Sequence, residues 1–107
     1  MNKFEYRQGD VGFTHVEALP EKVKLKRRQR GRIVLAEGEV TGHAHAIADT
    51  AVQHFIVEGS PLQWVVVPDA PAEVTHEEHN TVVLPPGVYV VDIQRQYQRG
   101  EIKRVLD

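Results

Sequence analysis

Residues 51–67 read AVQHFIVEGSPLQWVVV, and this stretch decides the fold class. Val52, His54 and Ile56 alternate with Gln53, Phe55 and Val57, the period of two that lays side chains on opposite faces of a strand. Glu58-Gly59-Ser60-Pro61 then interrupts the pattern. Gly59 accepts positive φ, and Pro61 opens the next run where a missing N–H does least harm. Leu62 to Val67 follows as a second, more apolar strand. Apolar on both sides at Trp64 to Val67, it suits a strand covered on both faces.

The same alternation extends outward. Short β-branched and aromatic runs predict strands at Val11 to Val16, Arg32 to Ala36, His43 to Ala48, Ala51 to Glu58, Leu62 to Val67, Glu73 to Thr75, Thr81 to Leu84, Gly87 to Tyr97 and Ile102 to Leu106, with a further one near Lys3 to Arg7. Pro86-Gly87 fits the centre of a type II turn, and Arg99-Gly100 fits a tight hairpin. Glu17 to Arg28 is the best helical stretch, but Pro20 and Val23 leave no convincing helix. Turn signals about every ten residues imply an all-β, single-domain antiparallel β-sandwich or small barrel over residues 1–107. The expected core is Phe13, Ile33, Leu35, Ile47, Phe55, Val57, Trp64, Val66, Val83, Leu84, Val88, Val90 and Val91.

Composition narrows the chemistry. At 107 residues the chain supports one compact core. The absence of cysteine excludes disulfides, thiolate zinc sites, iron–sulfur clusters and a cysteine nucleophile. No apolar run approaches the roughly 20 residues of a membrane helix, so no membrane role is expected. The N-terminus has no apolar signal-like region, and the chain reads as cytoplasmic. No nucleophile elbow, P-loop or dinucleotide fingerprint is present.

Histidine carries the functional signal. His43 and His45 stand one residue apart after Gly42, so a strand would turn both rings to one face about 6–7 Å apart at Cβ. His76 and His79 bracket Glu77-Glu78 at what reads as a strand end entering a loop. Together the two pairs, His43, His45, His76 and His79, are the candidate ligands of a divalent transition metal, with zinc, nickel, iron, manganese and copper all compatible with imidazole. Asp49, Glu77 and Glu78 can supply an oxygen ligand, a general base or an acceptor that orients an imidazole. His54 and His15 read as hydrogen-bonded core or boundary residues, with His54 a further ligand candidate.

Residues 22–32 form a second candidate region. Seven of the thirteen positive charges fall there: Lys22, Lys24, Lys26, Arg27, Arg28, Arg30 and Arg32. As a protected edge strand their charge guards against edge pairing. As a binding arm they would engage nucleic acid or another acidic partner, with strong salt dependence. The sheet edges and the two-sided apolar run at Trp64 to Val67 further suggest a symmetric homo-oligomer, a dimer first among closed assemblies.

Two resemblances can be stated on these residues. Gly38, then His43, His45 and Asp49, resembles the first motif of the cupin superfamily, which implies a jelly-roll-like barrel with a metal at its mouth. The glycine spacing is one residue short, and Asp49 stands where that motif has Glu. His76 and His79 precede Pro85-Pro86-Gly87, whereas the second cupin histidine follows its Pro-x-Gly turn. Thr41-Gly42-His43-Ala44-His45, Thr75-His76-Glu77-Glu78-His79, Leu84-Pro85-Pro86-Gly87-Val88-Tyr89 and Gln94-Arg95-Gln96-Tyr97 together resemble a family of small uncharacterised bacterial and phage proteins. That resemblance implies the domain and no particular activity.

Overall fold

The structure is a computed structural model that describes residues 5–38, 40 and 42–94. Its elements there are ten strands: β1 (Glu5–Gln8), β2 (Val11–Val16), β3 (Lys24–Leu25), β4 (Ile33–Glu37), β5 (Ala44–Ile47), β6 (Gln53–Ile56), β7 (Gln63–Val67), β8 (Ala72–His76), β9 (His79–Leu84) and β10 (Gly87–Ile93). They form an antiparallel β-sandwich. One sheet has the order β1-β2-β10-β7-β6-β3 and the other β4-β5-β8-β9. No helix there is long and apolar enough to cross a membrane. Residues 17–28, the best helical stretch in the sequence, form turns and the short edge strand β3.

The chain builds the sandwich from hairpins, β1–β2, β4–β5, β6–β7 and β8–β9, each confined to one sheet. Between hairpins it crosses from sheet to sheet. Pro68 and Pro71 lie in the crossing from β7 to β8, and Pro85-Pro86 make the crossing from β9 to β10. Proline cannot donate to a ladder, so these residues stop one sheet before the chain enters the other. At the crossing from β5 to β6, Arg28 donates to the carbonyls of Asp49 at 2.7 Å and Val52 at 2.8 Å.

Strand alternation selects the core. Phe13, Val65, Tyr89 and Val91 face inward from the six-stranded sheet, and Ile33, Leu35, Ile47, Val74 and Leu84 face them from the other. Each fully buried side chain of this kind contributes roughly 1.5–3 kcal/mol. The expected core is therefore corrected at six positions. Val88 and Val90 alternate with Tyr89 and Val91 and lie half-buried on the opposite side of β10. Phe55, Val57 and Val66 are also half-buried, and Val83 is 48% exposed because its neighbour Leu84 takes the inward position on β9. Trp64 is buried beside Val65, so both faces of β7 are covered there, as its sequence implies. The expected continuation of β10 to Tyr97, the Arg99-Gly100 hairpin and the strand at Ile102 to Leu106 lie outside the described residues.

One partly buried polar tie crosses the interior. Gln63 on β7 donates to the Leu35 carbonyl of the opposite sheet at 2.9 Å and accepts from His54 Nε2 at 2.6 Å. Burial holds the His54 imidazole below its ordinary value. Lys26 and Arg28 add to this, and the Gln63 hydrogen bond partly offsets it. The unfolded chain therefore takes up the proton first. The stability contributed by the neutral ring is complete above about pH 6.5, the unfolded value, and is lost as pH falls toward the folded one. We expect the urea midpoint to decline through this range in the wild type, and His54→Gln to flatten part of that decline.

Candidate functional site

The inward rows of two strands change character at one end of the sandwich. On β5 the row runs from Ile47 to His45, and on β8 from Val74 to His76. Ile47 and Val74 are fully buried core residues, and His45 is only 1% exposed. The β8–β9 hairpin turns at Glu77-Glu78, which pairs His76 directly with His79. The three rings cluster as a result. Centroid separations are 4.3 Å between His45 and His76, 4.7 Å between His76 and His79, and 5.7 Å between His45 and His79. One nitrogen from each ring lies within 4.8 Å of the others, close enough that this triad could hold a metal ion. From buried His45 through half-buried His76 to exposed His79, the cluster lines a cleft of about 270 Å³ together with Gly9, Asp10 and Gly38.

The opposing sheet closes this end with the β1–β2 turn. Gly9 has φ +59°, the positive value that primed hairpin turns require at their first central position. A Cβ there would lie 2.7 Å from His79 Nε2, so the ring rests where only glycine leaves room. Gln8, 2% exposed, precedes the turn. Its amide nitrogen donates to the carbonyls of Val74 at 2.8 Å and Asn80 at 2.9 Å. The amide is thereby oriented, and its oxygen accepts from His45 Nδ1 at 2.8 Å. The proton of neutral His45 thus sits on Nδ1, and the lone pair sits on Nε2.

The neighbouring polar groups divide between the cluster and its supports. The Glu78 amide donates to His76 Nδ1 at 2.9 Å, so neutral His76 carries its proton on Nε2. Desolvation, with the adjacent His79 second, pushes the His76 imidazole below its ordinary value. Glu77 accepts from the Ala44 amide at 3.0 Å, and this bond, followed by one from its own amide, holds its carboxyl below the usual range. Glu78 Oε2 accepts from His43 Nδ1 at 2.6 Å. These bonds tie the β8–β9 turn to the segment that enters β5.

Of the four histidines singled out in the sequence, three share the cluster. His43 precedes β5, so the strand rule that would align it with His45 does not govern it. It pairs with Glu78, its ring centroid 6.0 Å from that of His76. Asp49 lies past the far end of β5, where its carboxylate accepts from the Ala51 amide. His54 is on β6 of the other sheet. Gly38, which opens the cupin-like motif in the sequence, lines the cleft, whereas Gln8, Gly9 and Asp10 were not legible as site residues. The Gly9-Asp10 turn signal marks a hairpin, but no local pattern says which hairpin it will meet.

The basic segment is partly absorbed by the fold. Lys24 pairs with Glu58 at 3.2 Å on edge strand β3, and Arg28 is the clamp described above. The Lys26 amide donates to the His54 carbonyl. Arg27 is exposed. Arg30 and Gly31 both take positive φ between the bridged residues Gln29 and Arg32. Arg30 and Arg32 line a cleft that His43 also lines.

The fold and site define a two-sheet β-sandwich with an imidazole cluster at one end, closed by a hairpin turn of the opposing sheet. The chain belongs to a family described as a domain of unknown function, DUF8820, which it matches over residues 7–94. Comparison with curated proteins and with solved structures finds no significant match.

Gln8 gives the site's most direct test of construction. Gln8→Leu leaves the carbonyls of Val74 and Asn80 and the His45 Nδ1 proton without their partner. Buried polar groups left this way cost about 1–3 kcal/mol each. The expected outcome is a loss of at least about 2 kcal/mol in chemical denaturation, larger than for substitution of exposed Glu5.

Proposed function

We propose that His45, His76 and His79 bind one divalent transition-metal ion and that the cleft above them admits a small ligand to it. The observation that carries this reading is the convergence of three imidazole nitrogens, with His45 already held in its Nε2 lone-pair tautomer by Gln8. A carbonyl oxygen behind the far ring nitrogen is the usual support of a metal-binding histidine. Bonds of about 2.0–2.1 Å place tetrahedral nitrogens roughly 3.4 Å apart, so nitrogens that lie within 4.8 Å of one another close by up to about 1.4 Å on binding. Three nitrogens and no thiolate suit zinc, copper, iron or nickel. Three protein ligands beside an open cleft leave a coordination position for water or a small molecule, the arrangement of sites that exchange ligands.

His76 sets a condition on this binding. Its Nδ1 accepts the Glu78 amide while its Nε2 holds the proton, so neither nitrogen presents a lone pair to an ion without change. Either the ion displaces the amide from Nδ1, or the proton moves to Nδ1 and the amide bond breaks. Both routes give up a hydrogen bond worth about 0.5–1.5 kcal/mol. Zinc addition is therefore expected to shift the Glu78 amide resonance in a nitrogen–proton correlation spectrum, more strongly than amides of the distant β6–β7 turn.

The deciding experiment is calorimetric titration of tag-free, chelator-treated protein with zinc and with nickel. One ion per chain is expected. His45→Ala and His79→Ala should each weaken binding at least about tenfold, whereas His43→Ala retains the stoichiometry. Binding should weaken on acidification, because a protonated imidazole cannot ligate. No uptake, or uptake indifferent to His45→Ala, overturns the reading.

A further inference from the structure

We infer that the cleft beside His43 binds the oxyanion group, phosphate or carboxylate, of a small molecule, gripped by the guanidinium groups of Arg30 and Arg32. The inference stands whether or not the imidazole cluster holds a metal.

The cleft encloses about 280 Å³, with Arg30, Arg32, Val34, Glu37, His43 and Ala44 among its walls. Val34 alternates with buried Ile33 and Leu35, so the cleft lies on the outer side of β4, away from the core. His43 sets it next to the imidazole cluster, its ring centroid 6.0 Å from that of His76.

The turn that carries the arginines is strained and firmly held. Gln29 and Arg32 exchange both backbone hydrogen bonds, at 2.8 and 3.2 Å, around Arg30 at φ +56° and Gly31 at φ +82°. Two positive φ values in a two-residue loop are those of a type I′ turn, whose first position asparagine or glycine fills most easily. Arginine there meets the steric penalty of the left-handed region. Strain of this kind concentrates at functional positions. Arg28 fixes the turn from behind, donating to the Gly31 carbonyl at 3.3 Å as well as to those of Asp49 and Val52. The two cations thus stand on an anchored hairpin, which lowers the ordering cost of binding.

Charge selects the ligand. Among the described residues neither Arg30 nor Arg32 is joined to a carboxylate, whereas Lys24 is paired with Glu58 and Arg28 is committed to carbonyls. A guanidinium presents a planar fork of donors that matches two oxygens of a carboxylate or phosphate. Glu37 on the same wall opposes a second anionic group. A small molecule with one anionic end therefore fits better than a nucleic-acid strand, whose backbone is met by many cations in succession.

The test is a titration of metal-free protein, passed over a chelating resin, with inorganic phosphate, with acetate and with a single-stranded oligonucleotide at constant ionic strength. Nitrogen–proton spectra that include the arginine Nε–Hε signals follow it. The expected result is a saturable shift of the Arg30 and Arg32 Nε–Hε signals and of the Ala44 amide with phosphate or acetate, the tighter of the two naming the oxyanion. Arg32→Gln and Arg30→Gly should each weaken that binding at least about fivefold. Arg30→Gly also relieves the turn, so it is expected to melt no lower than wild type, and its loss of affinity is then no folding defect. No saturable shift with either small anion, affinity unchanged in either variant, or a response to the oligonucleotide alone overturns the inference.

Discussion

The buried amide of Gln8 is the constraint on which this end of the molecule depends. It sits between the two sheets, gives both amide protons to carbonyls of β8 and β9, and receives the Nδ1 proton of His45. Rotating the amide by half a turn would set its oxygen against two carbonyls and its nitrogen against an N–H. The low-dielectric interior makes such mismatches costly, so the three bonds determine one another. They fix the distance of the β1–β2 turn from the β8–β9 hairpin. They also fix which nitrogen of His45 carries the lone pair. The glycine beside Gln8 then leaves room for the His79 ring, and the aspartate after it enters the cleft.

Gln63 does a related task in the body of the sandwich. It reaches across to Leu35 and receives His54, so a His–Gln pair ties the sheets at a second place. The chemical fate of the two histidines differs because of what lies beyond each ring. His54 is enclosed, with Lys26 and Arg28 nearby disfavouring its charge. His45 faces other imidazoles and a carboxylate at the mouth of a cleft. Similar supporting glutamines thus serve a structural tie in one case and a candidate site in the other.

The hairpin plan explains how a short chain assembles such an end. Hairpins pair locally, at modest entropic cost, while the crossings carry the long-range constraints. The prolines at two crossings stop the ladders, and Arg28 fastens another by binding the carbonyls on either side of the β5–β6 turn. A run of arginines that reads from its charge as a binding arm therefore spends one member on the fold. That distinction rests on the position of two carbonyls, which no charge pattern encodes.

The all-β class, most strand positions and the candidate importance of His45, His76 and His79 were determined by the sequence, because period-two alternation and turn chemistry act over neighbouring residues. The local rules also located the edges of their own reach. They assigned both faces of β10 to the core, whereas packing against a single opposing sheet buried Tyr89 and Val91 and left Val88 and Val90 half-buried. They placed His43 with His45 by strand geometry, although the strand begins at Ala44 and the ring turns to Glu78. Only the tertiary structure decided that Gln8 and Gly9 meet residues about seventy positions further along the chain. Sheet-to-sheet docking fixes that meeting, through the fit of two hairpin ends whose sequences carry no mutual signal until they touch.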